Sequence, residues 1–568
     1  MQSQKEVDLL VIGAGAAGMA TALVAALEGL DVMVLEKSSL VGGTASTSAG
    51  SIWIPGNTQS LAAGYQDSVE KAAVYMQGLI GDDVTGLRSV YLRTGPIAVD
   101  YLRKLSEVRF VPCGKHPDYR DMDGAAITGR ALVPEPFDGR KLGSDFARIR
   151  PPIQEFMVLN GMMVGKEDIV KLLGRFKSLS NFSHSVKLVV RYFLDRLRYR
   201  RGTRIVMGNA LIGRLFFSLK NLRVPFLFDV EVSDLATTGG SVTGVIFKST
   251  GKIYSITARK GVVLATGGIG HNQHLRELAF PKPTPRESMA CSTISGDGIL
   301  LGRRCGGAFN PQEHRGGGFW TPISVINRRD ESRGLYPHLF LDRAKPGIIA
   351  VNLNGERFVN EANSYHDFVE GMYRSNTDMG AISCYLVCEA HFITKYGLGI
   401  IYPKTRNLEP FVRNGYILKA DSLEALGSKM GVPTVRLAET VQIYNQFCKN
   451  GRDMDFGKGD TELNRFNGDS TIKPNPCLAE IKKGPFVALR IFPSEIASSA
   501  GLKTNADGQV LTDEGRVIEG LYACGNDMAS VMAGTYPGPG TTLGPGITFG
   551  YRIAMHAAGK SEFMNAGN

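Results

Sequence analysis

Val7-Asp8-Leu9-Leu10-Val11-Ile12-Gly13-Ala14-Gly15-Ala16-Ala17-Gly18 is the stretch that decides the fold. A short apolar run ends in a glycine turn, and an alanine-rich helical stretch, 19–28, follows it. A second apolar run, 32–36, completes a strand–helix–strand opening. In such a unit Gly13 permits the tight turn, Gly15 lets a pyrophosphate approach the backbone, and Gly18 lets the helix pack on the strand. The helix N-terminus, at Ala16 and Ala17, supplies amide donors and the positive end of a dipole to the phosphates. Glu36 stands eighteen residues after Gly18, placed to accept from ribose hydroxyls. The unit predicts a dinucleotide site.

Two later segments repeat the strand-then-turn pattern. Residues 261–265 close on Thr266, Gly267 and Gly268, and residues 520–524 are followed by Gly525, Asn526 and Asp527. Three such units spread over 568 residues predict one nucleotide domain built from both chain ends, with another domain inserted. The expected fold is α/β: a Rossmann-type domain over 1–325 and 497–568, and an inserted α+β catalytic domain over 326–496. A chain that is 43% hydrophobic and 21% charged is neither disordered nor fibrous. Its 68 glycines fall in clusters such as GAGAAG, GGIG, RGGGF and PGPG, where backbone must turn sharply or approach a ligand.

Eight scattered cysteines give neither a disulfide framework nor zinc-ligand spacing, which fits a reducing, cytoplasmic setting with no metal. The polar start MQSQKEVD runs straight into the first strand, so no signal peptide is expected. No charge-free apolar run reaches the ~18 residues of a spanning helix.

After Glu36 come Lys37 and then Val41-Gly42-Gly43-Thr44-Ala45-Ser46, a glycine- and hydroxyl-rich loop able to lie along a diphosphate. Together with Ala265-Thr266-Gly267-Gly268 and Leu521-Tyr522-Ala523-Cys524-Gly525-Asn526-Asp527, it resembles the fumarate reductase/succinate dehydrogenase-type flavoproteins over nearly the whole chain. The resemblance implies FAD. Residues 42–50 contain no His, where covalently flavinylated members carry one, so the FAD should be non-covalent. Dicarboxylate-reducing members carry a His-Thr-x-Gly-Gly run. The corresponding Ile496-Ala497-Ser498-Ser499-Ala500-Gly501-Leu502 has neither His nor cation, which disfavours succinate and fumarate.

Within that superfamily, Gly534-Thr535-Tyr536-Pro537-Gly538-Pro539-Gly540-Thr541-Thr542-Leu543-Gly544-Pro545 resembles the 3-ketosteroid Δ1-dehydrogenases. So do Ser51-Ile52-Trp53-Ile54-Pro55-Gly56-Asn57, Asn360-Glu361-Ala362-Asn363-Ser364-Tyr365 and, less fully, His116-Pro117-Asp118-Tyr119. The resemblance implies that Tyr365, Tyr536, Gly540 and Tyr119 act on the substrate, and that Thr542 and Leu543 join the FAD contacts. Desaturation next to a ketone needs charge on the carbonyl oxygen stabilised, and a phenol at Tyr536 with the Gly540 amide suits that task. By resemblance Tyr365 is the base for the carbon-2 proton. A free phenol titrates near 10, so it needs help from a neighbour, for which Tyr119 is the candidate.

The substrate is then a 3-ketosteroid, with a sterol-derived ketone such as cholest-4-en-3-one in scope; the electron acceptor is a quinone or a protein. Two rivals stand beside this reading: an oxidoreductase of the steroid 4–5 bond, and a flavin-carrying electron-transfer subunit. His314 is read as a solvated or interface residue and Ser530 as no triad nucleophile. The formal net charge of +11 is concentrated in 166–204, where Lys187, Arg191, Arg196, Arg198, Arg200, Arg201 and Arg204 interleave with Leu188, Val189, Tyr192, Phe193 and Leu197. No nucleic-acid motif accompanies them. Two readings remain open: a solvated helix face, or an interfacial helix on the inner, anionic face of a membrane; Phe216, Phe217 and 224–228 either add apolar contact to it or form a buried strand.

Overall fold

The computed structural model describes residues 5–249, 252–328, 331–340, 342–375 and 382–561. Strand Lys5–Ile12 lies mid-sheet, with parallel neighbours Val32–Leu35 on one side and Lys252–Leu264 on the other. A strand paired on both edges and covered on both faces is apolar where it is covered, and Leu9, Leu10 and Val11 are wholly buried while Lys5 and Glu6 at its start are exposed. The sheet continues through Val517–Ala523, parallel to Lys252–Leu264, and through Phe226–Leu227 beyond Val32–Leu35. Among the described residues it has eight strands, drawn from both ends of the chain.

Helix Ala16–Leu27 packs on the C-terminal helix Leu543–Ala557 through small residues. A Cβ at Gly550 would lie 2.6 Å from the Thr21 hydroxyl, and one at Gly546 3.3 Å from the Ala17 methyl. Only glycine allows this approach, which presses both helix N-termini toward the turn at Gly13.

The second sheet is antiparallel and, among the described residues, six-stranded. Its backbone is the long strand Phe486–Ser498, which pairs with Gly318–Asn327, Cys384–Glu389 and Leu418–Ala420. Its strands run from Gly318 to Ser498, so Gly318–Asn327 lies across the expected boundary at 325/326. Helix Tyr365–Ser375 covers one face, and helices Leu423–Met430 and Thr434–Asn450 pack on the other around Leu426, Leu437 and Tyr444. No helix among the described residues is long and apolar enough to cross a membrane.

The basic stretch forms two helices, Lys166–Leu173 and Leu179–Arg196. Three of its seven cations are only partly exposed and are held by other parts of the protein. Arg191 pairs with Asp138 at 2.9 Å, Arg204 with Asp168 at 2.9 Å, and Arg201 lies 4.7 Å over the Phe146 ring. Phe216 is buried, inside helix Met207–Asn221, and Phe226–Leu227 is a sheet strand. Neither adds to an apolar surface.

Candidate active site

One cavity of about 1620 Å³ dominates the molecule. Typical single-ligand pockets measure about 300–1,000 Å³, so this volume admits two ligands side by side. One end is lined by Gly13, Gly15, Ala16, Ala17, Glu36, Lys37, Gly42, Gly43, Thr44, Ala45, Ala265, Thr266, Gly267, Gly525, Asn526, Thr542 and Leu543, all of them singled out from sequence. Gly13 has φ 110°, and a Cβ there would sit 2.2 Å from the Ala265 carbonyl oxygen. Beside Gly15 nothing lies within 4 Å, so its backbone is open to a ligand. The Glu36 carboxylate is anchored by the Ala14 amide at 2.8 Å and the Ser38 amide at 2.9 Å, leaving acceptor capacity for hydroxyls. Lys37 is held by Ser295 at 2.7 Å and Asp297 at 3.0 Å.

Three predicted residues do not line this end. Gly18 packs helix on strand, its virtual Cβ 2.1 Å from the Gly13 carbonyl oxygen. Ser46 is buried beneath the loop against Gly42, and Thr47 and Ser48 line the cavity in its place. Asp527 accepts from the Gly268 amide at 2.8 Å and the Thr266 hydroxyl at 3.1 Å, tying two ligand loops together. Burial pushes its carboxyl up to about 6, against the lowering effect of those donors.

Tyr365, Tyr536 and Gly540 line the same cavity further along. Tyr365 is the first residue of its helix, whose start is capped by the Ser364 hydroxyl accepting from the Asp367 amide at 3.1 Å. The preceding motif is scaffold. Glu361 accepts two hydrogen bonds from Arg357 in a buried bidentate ion pair, each at 2.9 Å, and the Asn360 amide donates to Asn464 at 2.9 Å. Tyr119 stands one layer behind and donates to the Tyr365 hydroxyl at 3.1 Å. Its ring stacks on Tyr536 at 5.5 Å and 13°, while Tyr365 meets Tyr536 edge-on at 5.2 Å.

Burial pushes all three phenols well above 10. At Tyr365 the neighbouring Tyr119 adds to the rise, while Tyr536 and the buried Arg343 oppose it. A phenol so raised stays protonated and keeps its hydrogen available to donate, which suits Tyr536. Tyr365 can act as a base only after losing its own proton, and the hydroxyl placed to donate to the resulting phenolate is Tyr119.

The pocket also gathers residues that carried no sequence signal, among them Leu339, Leu398, Ile401, Ile496 and Ala497. They are ordinary apolar residues brought together by strand ends and loops. His314 is largely buried with its Nδ1 3.1 Å from the Ser499 hydroxyl, and burial lowers its imidazole to about 4, which makes it an interface residue. The lining also takes in Val170, Leu173, Phe176, Phe182, Val186 and Val190, from helices Lys166–Leu173 and Leu179–Arg196 and the segment that joins them. These side chains are exposed as well as cavity-lining. Phe176 is 81% exposed and Leu179, at the start of the second helix, 88%.

The profile of the family described as FAD binding domain matches residues 8–543. The chain belongs to that family. FAD is its cofactor, and the glycine cradle, the anchored Glu36 and the two-ligand cavity fit it. The flavoprotein is 34% identical to a 3-oxosteroid 1-dehydrogenase of Mycolicibacterium smegmatis over 99% of both chains. It is 36% identical to a 4-oxocyclohex-2-ene-1-carboxylate 5-dehydrogenase of Sinomonas cyclohexanicum, over 97% of this chain and 93% of that one. Among solved structures, it is similar to the 3-ketosteroid delta1-dehydrogenase from Sterolibacterium denitrificans in complex with 1,4-androstadiene-3,17-dione. That match has 33% identity and a TM-score of 0.90, covering 98% of this chain and all of the other.

Proposed function

We propose that this flavoprotein is a 3-ketosteroid Δ1-dehydrogenase, forming a double bond between carbons 1 and 2 of a 3-oxosteroid. One observation carries the reading: three phenols in mutual contact and the Gly540 backbone converge where the FAD-lined cavity becomes apolar. In this reading the Tyr536 hydroxyl and the Gly540 amide donate to the ketone oxygen, stabilising the charge that develops as the carbon-2 proton leaves. Tyr365 receives that proton in its deprotonated form, toward which the Tyr119 hydroxyl donates at 3.1 Å. FAD, when bound, supplies the acceptor for the hydride lost from carbon 1. The division of the chain follows the same logic: 1–325 and 497–568 hold the FAD and 326–496 the substrate, with strand Gly318–Asn327 assigned to the latter.

The similarity to a keto-acid dehydrogenase raises a smaller substrate as the second reading. A carboxylate only a ring's width from the ketone needs a cation close to Tyr536. The cations lining the cavity are Lys37, Lys166, Arg175 and Lys345, none in the segments that carry the tyrosines or Gly540. Lys345 donates to the Asn467 and Gly468 carbonyl oxygens, and Lys37 pairs with Asp297. The apolar steroid is the better fit. Anaerobic titration decides: 3-ketosteroids bleach the flavin absorbance, and bleaching by the oxocyclohexene carboxylate but not by any steroid overturns the assignment.

The partner we assign to the cavity mouth is an anionic bilayer, met by a cytoplasmic enzyme docking on the inner leaflet. Phe176, Leu179, Phe193 and Leu197 project among the exposed cations Arg175, Lys177, Lys187, Arg196, Arg198 and Arg200. Such a surface buries apolar side chains at the headgroup boundary while its cations meet anionic lipid. A sterol-derived ketone dissolved in the same bilayer then faces the opening directly. Replacing Phe176, Leu179 and Leu197 by Ser should release the protein from anionic vesicles in a sedimentation assay without changing turnover of a short, soluble steroid. Retention on the vesicles at the original level refutes the anchor.

A further inference from the structure

Two of the motifs quoted from the sequence hold residues that the chemistry above does not use, Trp53 and Asp118. Both are buried, and they meet. The Trp53 indole Nε1 donates to one Asp118 carboxylate oxygen at 2.8 Å, and Arg130 donates to the other at 2.6 Å. Arg130 is itself only 2% exposed. Its guanidinium also donates to Asp67 at 3.0 Å and to the Gly124 carbonyl oxygen at 2.7 Å. Its carbon lies 5.5 Å over the Trp53 ring and 5.6 Å over that of Tyr75.

This chain touches both reacting loops. The Trp53 backbone amide donates to the Gly540 carbonyl oxygen at 3.3 Å. The indole presses against the loop, since a Cβ at Gly538 would come 2.5 Å from Nε1. On the other side Asp118 immediately precedes Tyr119, and its backbone and carboxylate both bind Ala126, at 2.8 and 3.0 Å. The Pro537 carbonyl oxygen then accepts from the Tyr119 amide at 2.9 Å and the Tyr75 hydroxyl at 2.8 Å. Strand Ile52–Trp53, the Tyr119 loop and the 536–540 loop are thus three pieces closed on one another through buried polar groups.

We propose that Trp53, Asp118 and Arg130, with Tyr75, are positioning residues: they fix the Gly540 amide and the Tyr119 hydroxyl relative to one ketone. The pairing is suited to the task. Burial pushes the Asp118 carboxyl up to about 6, and Arg130, the indole and the Ala126 amide oppose that rise. At neutral pH the carboxylate therefore depends on all of its donors, and losing one moves the loop it belongs to. Donors that act only in the transition state are sensitive to such movement. A displacement of about 1 Å far from the reacting atoms can cost ~10²-fold in rate.

The proposal rests on the dehydrogenase reading, so the test begins with wild-type protein that a 3-ketosteroid bleaches. If wild type does not bleach, the reading itself fails. Trp53→Phe keeps an aromatic ring, though a smaller one, and removes the indole donor. Tyr75→Phe removes only the hydroxyl that holds Pro537. For Trp53→Phe the expected result is a kcat lowered about 10- to 100-fold, and for Tyr75→Phe one lowered about 10-fold. In both, steroid KM and FAD content should stay near wild type, and in Tyr75→Phe, which keeps the whole ring, so should the thermal midpoint. A merely structural role would lower midpoint and flavin content and leave kcat per bound flavin unchanged. Wild-type kcat per bound flavin in Tyr75→Phe, or a loss confined to KM, overturns the proposal whether or not Trp53→Phe folds.

Discussion

Tyr365→Phe is expected to lower steroid turnover about 10²–10⁴-fold, the range a general acid–base group supplies, while FAD and steroid remain bound. The substitution removes one hydroxyl from a side chain that is 6% exposed and packed against Phe340, Tyr119 and Tyr536, so the ring contacts persist. What disappears is the acceptor for the carbon-2 proton and, with it, the partner of the Tyr119 hydroxyl. The pH profile gives a second readout. Burial holds the Tyr365 phenol well above 10, so at neutral pH it is protonated and its base form grows as pH rises. In wild type kcat/KM should therefore climb toward alkaline pH, and in the variant that climb should vanish. Single-turnover flavin reduction at several pH values measures both. A variant that reduces flavin at the wild-type rate removes Tyr365 from the chemistry.

Gly540→Ala should be nearly as damaging, for a different reason. Gly540 has φ 97°, a conformation that costs an L-residue about 1–3 kcal/mol. A Cβ there would also sit 2.5 Å from the Ile52 Cα, a backbone atom of a strand that cannot yield like a flexible side chain. The loop must move, and the amide moves with it. Loss of one such donor costs about 10²–10³-fold in kcat. Because the strain is local to 536–540, flavin content should fall far less than activity. Stopped-flow reduction and flavin absorbance per protein separate the two, and an alanine variant with full turnover would show that the amide is not a donor.

The nucleotide end was legible because its signals are local. The central parallel strand is apolar without a break from Leu9 to Ile12, and the glycines are demanded by contacts within a few residues or by one neighbouring strand. The second sheet left no comparable trace. Gly318–Asn327, Cys384–Glu389 and Phe486–Ser498 are antiparallel partners far apart in sequence, and their pairing depends on register rather than on any motif. The errors share that origin. Ser46 and Asp527 looked like ligand-facing polar groups because they sit in ligand loops. The fold instead buries Ser46 under its own loop and uses Asp527 to satisfy amides of a distant one. Arg191, Arg201 and Arg204 read as surface charge because Asp138, Phe146 and Asp168 are their neighbours only once the chain has folded. The tyrosines were located through resemblance alone, since no spacing rule brings residues 119, 365 and 536 together.

Those phenols arrive from three separate regions of the chain, and Tyr365 comes on a helix seated against the antiparallel sheet while the Gly13 cradle belongs to the parallel one. The coloured cofactor and the reaction are therefore guarded by different contacts. Protein that has loosened between its two sheets stays yellow and goes silent, so colour alone overstates how much of a preparation is competent.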